Sequence, residues 1–471
     1  MTILKNKRKR LVLAGAAVSV AALVGVYLTP YYRSKSLQRP ENCAQITASG
    51  QVYRQYVEVL AALRSSKSLE EVPQALCFVS DLGSVGRSPD RAYREIIAGF
   101  RSPDVLYQAL AKGFDKVLKL DLRQGLRRRA GLAWQGVWLS EAALVAYRKT
   151  GQTRFLDLFV KYYDSVLDRR DDKLGRVDSW HGRVMKAWGS VNLAMNKKSK
   201  KKLGASLPWI AHITHNARIV FPGTEFALIV RDDPSLARYR DKARSYVAVA
   251  EEVVAEFDGD RVALPGRSDL VWFNRPLVDR PEPTNHLHMV ARTWANLAEL
   301  TGTKRYRQDV ESVLSIFRAG LRREPNGLLS WGYAPALLDA SQREEYSNDD
   351  GYSEPIWKAT HTVQFFLQAQ RQGYASADEL VVKVGRMLNT LTFQGDRVWS
   401  SVAKRGGRYY DPEKDGDSLN SIALVTYFAV EPDLKRKVAG LVALRPDIYP
   451  KGWLSSSGLF AYANLLDSDG R

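Results

Sequence analysis

From residue 50 to residue 465, apolar side chains recur at helical spacing, and no Gly/Ser-rich or Pro-rich linker interrupts the run. Strict two-residue alternation over the length of a strand is scarce. A chain of this kind builds a core by laying the apolar stripes of many helices against one another. The spacing predicts helices over residues 52–65, 91–99, 104–119, 135–149, 154–168, 235–256, 287–300, 305–320, 359–372, 377–391 and 418–429. Segments 170–187, 203–224, 260–286 and 323–357 lack it and hold much of the chain's Trp, His, Asn, Tyr and Pro. Long loops of that composition usually carry function.

An internal echo sharpens the fold. Thr150-Gly151-Gln152-Thr153-Arg154-Phe155 resembles Thr301-Gly302-Thr303-Lys304-Arg305-Tyr306, and each stretch opens a helix with an apolar and aromatic stripe. Each also follows another helix, so the repeating unit is a helical hairpin closed by a glycine-containing turn. Such hairpins must stack to bury their apolar faces. The expected fold class is all-α: residues 51–471 form an α/α toroid, an incomplete barrel of helical hairpins with its long loops gathered at one mouth.

The N-terminus has a different character. Residues 1–10 are a basic flank, residues 11–28 carry no charge and are rich in Val, Ala and Leu, and residues 29–50 form a linker. Residues 11–28 are expected to be one N-terminal transmembrane helix. Tyr27, Tyr31 and Tyr32 would sit at the interface beyond it, and the basic flank would stay cytoplasmic. A cleaved signal peptide is the competing reading. Anchored this way, the catalytic domain is extracytoplasmic, in the periplasm of a bacterium, and one partner is the inner membrane.

The net charge of +19 and pI near 9.7 favour polyanionic partners. Lys197, Lys198, Lys200, Lys201 and Lys202 form a basic cluster without a nucleic-acid-binding motif, and they read as a solvated loop. No nucleic-acid partner is expected. The two cysteines, Cys43 and Cys77, can form one disulfide or remain two buried thiols.

The chemistry-bearing residues lie in the irregular stretches. His215, Asn216 and Arg218 follow one another closely; amide, imidazole and guanidinium together can bind a carboxylate and move a proton near neutral pH. Asn285, His286 and His288 follow Pro281-Glu282-Pro283-Thr284, a rigid approach to a helix N-terminus that suits an acidic ligand. Metal binding at His286, His288 and Glu282 is the rival there, but no recognised ligand set appears and no metal is expected. Tyr346 and Tyr352 lie in an acidic loop and can act as base or acid if cations lower their pKa. Trp180, His181, Trp331, Tyr333 and His361 suit contact with a sugar ring.

The carboxylates raise a rival chemistry. Asp349, Asp350 or Glu354 could pair with Asp171, Asp172 or Asp178 in a glycoside hydrolase, which needs two carboxylates at a defined separation. A noncatalytic polysaccharide-binding protein is a further alternative. There is no phosphate-binding glycine loop and no G-x-S-x-G nucleophile elbow.

On the hairpin organisation of residues 90–465 and this placement of Asn, His and Tyr, the chain resembles the α/α-toroid polysaccharide lyases acting on uronic-acid polymers, alginate lyases among them. In that family Asn and His, sometimes Arg, neutralise the uronate carboxylate. Tyr or His removes the C5 proton, and a Tyr protonates the leaving oxygen. The resemblance implies β-elimination on an anionic polysaccharide without a cofactor. Asn216 and His215 would be the neutralisers, His286 or His288 a base or neutraliser, and Tyr346 or Tyr352 the base and acid. Arg218, Asn285, Trp180, His181, Trp331, Tyr333 and His361 would bind substrate. The carboxylates around the tyrosines depart from the family pattern. In outline the chain is also similar to glucuronyl C5-epimerases, which abstract the same proton and return one to C5.

Overall fold

The computed structural model describes residues 103–123, 131–191, 208–264, 267–274, 281–324, 327–333, 353–394, 397–402 and 456–466, with isolated positions at 276, 426, 430 and 434. The chain divides into two compact units, Met1–Arg101 with Val442–Pro450, and Ser102–Leu441 with Lys451–Arg471. All described residues belong to the second. Residues 11–28, Cys43, Cys77, Lys197–Lys202, Tyr346 and Tyr352 lie outside the described residues. Among the described helices none is long and apolar enough to cross a membrane.

The described part is mostly helical: α1 (Pro103–Arg123), α2 (Val137–Thr150), α3 (Arg154–Leu167), α4 (Ile213–Asp232), α5 (Arg240–Ala255), α6 (Thr284–Thr301), α7 (Lys304–Ala319), α8 (Ile356–Arg371), α9 (Ala375–Met387) and α10 (Ser456–Leu465). A π-helical turn, Leu132–Gly136, leads into α2. Helices α2, α4, α6 and α8 pack side by side in chain order, α10 lies against α2, and α3, α5, α7 and α9 each back the inner helix before them. This alternation of inner and outer helices is an α/α toroid.

Burial separates the two layers. In α3, Phe155, Phe159, Tyr162, Tyr163 and Val166 face inward and the opposite side meets solvent, as the stripe predicted. In α4 every side chain from Ile213 to Val230 is buried. That explains a correction. Segment 203–224 was expected to be a loop, yet most of its second half is the central helix. A helix buried on all sides carries no amphipathic stripe, and Pro222 within it reads as a breaker from sequence alone. Tyr163 of α3 packs against this turn, its hydroxyl donating to the Ile219 carbonyl at 3.2 Å.

The two ends of the toroid differ. Each inner helix α2, α6 and α8 passes to its outer partner through a short turn whose glycine is left-handed: Gly151 at φ 66°, Gly302 at φ 70° and Gly373 at φ 75°. The Thr-Gly echo is therefore a pair of helix C-caps that only glycine accepts without strain. Returns from outer to inner helices are long and carry small antiparallel hairpins. They are β1 (Val177–Asp178) with β2 (Arg183–Val184), β3 (Gly189–Ser190) with β4 (Ile210–Ala211), β5 (Arg261–Leu264) with β6 (Arg267–Phe273), and β7 (Arg322–Arg323) with β8 (Leu329–Ser330). A last pair joins β9 (Phe393–Gln394) to β10 (Arg397–Val398). Segment 260–286, read as irregular, thus contains the longest of the described hairpins, β5 with β6. The long returns surround the N-termini of the inner helices and define the mouth.

Candidate active site

Four inner helices bring their first turns together at the mouth. His212 is the N-cap position of α4, His215 lies one turn inside it, and His286 lies in the first turn of α6 just after Glu282. Glu282 joins two imidazoles: its Oε1 bonds His212 Nε2, and its Oε2 lies 2.6 Å from His286 Nδ1. Burial would raise the Glu282 pKa, but the two rings more than offset it and hold the carboxyl well below its usual range. The rings of His212 and His215 meet edge to face at 4.9 Å, and those of His212 and His286 are 6.1 Å apart.

Trp134 reaches this cluster from the π-helical turn before α2. Its Nε1 donates to His215 Nε2 at 3.1 Å, which leaves the ring proton of a neutral His215 on Nδ1. Burial, reinforced by the neighbouring His212 and His286, keeps the His215 pKa well below its ordinary value, so the ring is neutral. The π turn is what aims the indole, and Gly136 lets it form. A Cβ there would sit 2.1 Å from the Tyr162 hydroxyl.

One turn deeper, Arg218 crosses the axis. Its guanidinium lies over Trp134 and Trp138, 4.6 and 5.0 Å from the ring centroids. Nε donates to the Ala133 carbonyl at 2.8 Å, and Nη1 donates to His361 Nε2 at 3.1 Å. Burial lowers the Arg218 pKa to about 9, leaving the side chain cationic at neutral pH. Burial and Arg218 together hold His361 neutral, and its ring stacks on Trp138 at 5.3 Å. Three buried polar atoms around this space have no partner among the described residues: His212 Nδ1, Arg218 Nη2 and Asn285 Oδ1. Buried polar groups are almost always bonded, so these three atoms are open to a water or a ligand.

The remaining expected residues are distributed otherwise. Asn216 is not aimed at the mouth; its amide is spent on the Trp188 backbone and the His212 carbonyl. His288 points away into Phe317, Phe365 and Phe366, with its pKa lowered by burial to about 3. Trp331 is fully buried and donates to Glu354, while Tyr333 lies under the Lys358 ammonium at 3.9 Å. His181 bridges Asp178 and Asp260, which raise its pKa to about 9, and Trp180 beside it is exposed at the tip of the β1–β2 hairpin. The structure therefore joins His215, Arg218, Asn285, His286 and His361, and adds His212, Glu282, Trp134 and Trp138. Spacing held a signal for these: Glu282 stands four residues before His286, and Trp134, Trp138 and Glu141 share one helical stripe.

Of the hydrolase candidates, Asp349 and Asp350 lie outside the described residues, and the described carboxylates make other contacts. Asp171 accepts from Gly189 N and Trp209 Nε1, Asp172 pairs with Arg170, and Asp178 accepts from Ala211 N. Glu354 is fully buried; its Oε2 accepts from Trp331 and Thr362, and its Oε1 has no partner among the described residues. The ligand atoms of His212, Glu282 and His286 all lie within 4.8 Å of one another, a donor set able to hold a divalent cation. Their surroundings favour an anion instead: Arg218 is beside them, and the positive ends of α4, α6 and α8 face the mouth.

No protein-family model matches the chain, and no curated protein matches it. Solved structures similar to it include a sugar epimerase from a ruminal bacterium (TM-score 0.44, 8% identity, covering 71% of this chain and 87% of that one). A cellobiose 2-epimerase from Spirochaeta thermophila has a TM-score of 0.40 and 12% identity, covering 70% of this chain and 84% of that one. A family 76 glycoside hydrolase from a bovine Bacteroides thetaiotaomicron strain has a TM-score of 0.35 and 12% identity, covering 71% and 67%. Likeness at this level says nothing of substrate or reaction.

Proposed function

We propose that this toroid is a carbohydrate enzyme that removes a proton from the carbon next to the carboxylate of a uronosyl residue. The observation that carries the reading is Glu282 holding two imidazoles from different segments of the mouth. A carboxylate shared by two imidazoles accommodates one extra proton without net charge, and a second only with a net positive charge. One ring can thus take a proton as the other gives one up.

With Nε2–H of His212 on Glu282, its Nδ1 lone pair is the base, and the carboxylate fixes the tautomer. Charge that builds on the substrate carboxylate as the proton leaves needs fixed donors. Arg218 Nη2 and the helix N-termini supply them. Return of a proton to the same carbon by the second imidazole makes the reaction an epimerisation, the outcome these groups support best.

β-Elimination is the second reading. It begins with the same abstraction and needs an acid at the leaving oxygen, for which Tyr346 and Tyr352 are the candidates from sequence. The excess of positive charge favours an anionic polysaccharide as substrate in either case. Anchoring through residues 11–28, with the toroid on the extracytoplasmic side, belongs to the same proposal. Incubation of the full chain with uronate oligosaccharides in D2O tests it. Deuterium at C5 without ultraviolet absorbance identifies epimerisation, and a rising absorbance identifies elimination. Neither signal with any uronate overturns both readings.

A further inference from the structure

The axis-facing stripe of α8 continues past the catalytic cluster toward solvent. His361 meets Arg218, and Gln364 and Gln368 meet Arg292, so positions 361, 364 and 368 face the axis. One turn before His361 on that stripe stand Trp357 and Lys358. At a helical rise of about 1.5 Å per residue they lie about 6 and about 4.5 Å above His361, at the mouth. Trp357 is 40% exposed, although nearly every other tryptophan near the axis is buried. The Lys358 ammonium lies 5.0 Å from the Trp357 ring centroid and 3.9 Å from that of Tyr333. Tyr333 is itself fixed at the start of α6, its carbonyl accepting from Thr284 N at 3.1 Å. Among the described residues no carboxylate is within ion-pair distance of Lys358.

An exposed indole offers a flat face to a sugar ring, and an ammonium beside it offers a charge to a carboxylate on that ring. We propose that Trp357, Lys358 and Tyr333 form a second saccharide subsite, one sugar along from the reacting ring, so that the ligand is an acidic oligosaccharide or polysaccharide and not a free sugar acid. The inference rests on the uronate reading above and adds the length and charge of the chain that the mouth accepts. Tyr333 holds the ammonium in place, Lys358 selects for a negative neighbour, and Trp357 supplies the ring contact.

Titration calorimetry on the full chain tests this, using galacturonate, mannuronate, guluronate and glucuronate series from monomer to tetramer, with cello-oligosaccharides as neutral controls. The expected result is binding of at least one uronate series, tightening about ten-fold from monomer to short oligomer. Trp357→Ala removes that increment and leaves the monomer affinity unchanged, and Trp357→Phe restores most of it. Lys358→Gln removes the salt-sensitive part. Equal affinity for monomer and oligomer, or an increment that survives both Trp357→Ala and Lys358→Gln, overturns the subsite while the uronate reading stands. Cello-oligosaccharides binding as tightly, with no effect of Lys358→Gln, overturns its acidic character. No binding of any uronate at any length brings down subsite and reading together.

Discussion

The upper and lower parts of the toroid's axis are built from the same four helices, yet their polar groups are treated in opposite ways. At the floor, all three nitrogens of Arg292 are bonded: Nε to Gln368 and Nη1 to Gln364, both on α8, and Nη2 to Glu141 of α2 at 3.0 Å. Its guanidinium also covers Phe221 of α4. Below it Asn296 bonds Thr224, Glu225, Gln368 and Gln372, and Glu225 pairs with Arg148 at 2.7 Å. Apart from Gln372 Oε1, this network is closed on itself. At the mouth, His212, Arg218 and Asn285 each keep a buried polar atom without a partner among the described residues. Satisfied networks lock a structure, whereas orphaned groups cost stability and persist where a ligand completes them. The polar groups of the floor bond one another across the helices, and those of the mouth keep unbonded atoms.

Four measurements bear on that contrast, taken from the largest expected effect to the smallest. Glu282→Gln should slow exchange of the C5 proton by about 10²- to 10⁴-fold, the usual worth of acid–base groups, with a much smaller loss of folding stability. Should it unfold the protein as readily as a floor variant does, the mouth is structural and the contrast fails. Arg292→Ala leaves Glu141 buried without its cation and should cost about 3–5 kcal/mol in denaturant unfolding.

The third measurement uses pH, because two buried carboxyls are pushed in opposite directions. Burial raises Glu225, but Arg148, Asn296 and neighbouring arginines outweigh it and hold the pKa at about 2. Its folded-state pKa is depressed, so its contribution is present above the ordinary value of 4.5 and is lost as pH falls toward 2. Glu354 goes the other way. Burial raises it to about 7, against the hydrogen bonds from Trp331 and Thr362 and the charge of Lys358. Its folded state prefers the neutral acid, so stability is fully present below 4.5 and falls as pH rises through 7. Glu354→Gln should therefore match the wild type at pH 4 and exceed it at pH 8 by up to about 3 kcal/mol. An equal difference at both pH values shows that the gain is not electrostatic. Last, Lys242→Ala breaks an exposed pair with Asp164 on the outer layer and should move Tm by no more than about 2 °C.

The same contrast explains what the sequence could and could not convey. The outer helices are half wet and half dry, so their stripes at Phe155–Val166 and Tyr306–Phe317 announce them, and the Thr-Gly turns mark the hairpins. The inner helix α4 is surrounded by protein and has no stripe to read. Its polar N-terminal residues and Pro222 look like a loop, yet they are buried among other protein groups instead of facing water. For the same reason His215, Arg218, His286 and His361 were recognisable as reactive types, but their grouping was not. It depends on α4, α6 and α8 meeting at one end. His212 and Glu282 were visible as residues, but their pairing spans 70 positions and has no local signature. Asn216 shows the converse: a residue type suited to carboxylate binding can be consumed by backbone accounting.

The π-helical turn before α2 has one more consequence. A π turn holds one residue more than the α-helical turn it replaces. Between Leu132 and Gly136 the chain is thus out of phase with the helix that follows. Deleting the exposed Gln135 would restore the phase and swing Trp134 by about 100° around the helix, away from His215. The aim of an indole, and with it the tautomer of a histidine on another helix, is set by the count of residues in a single turn.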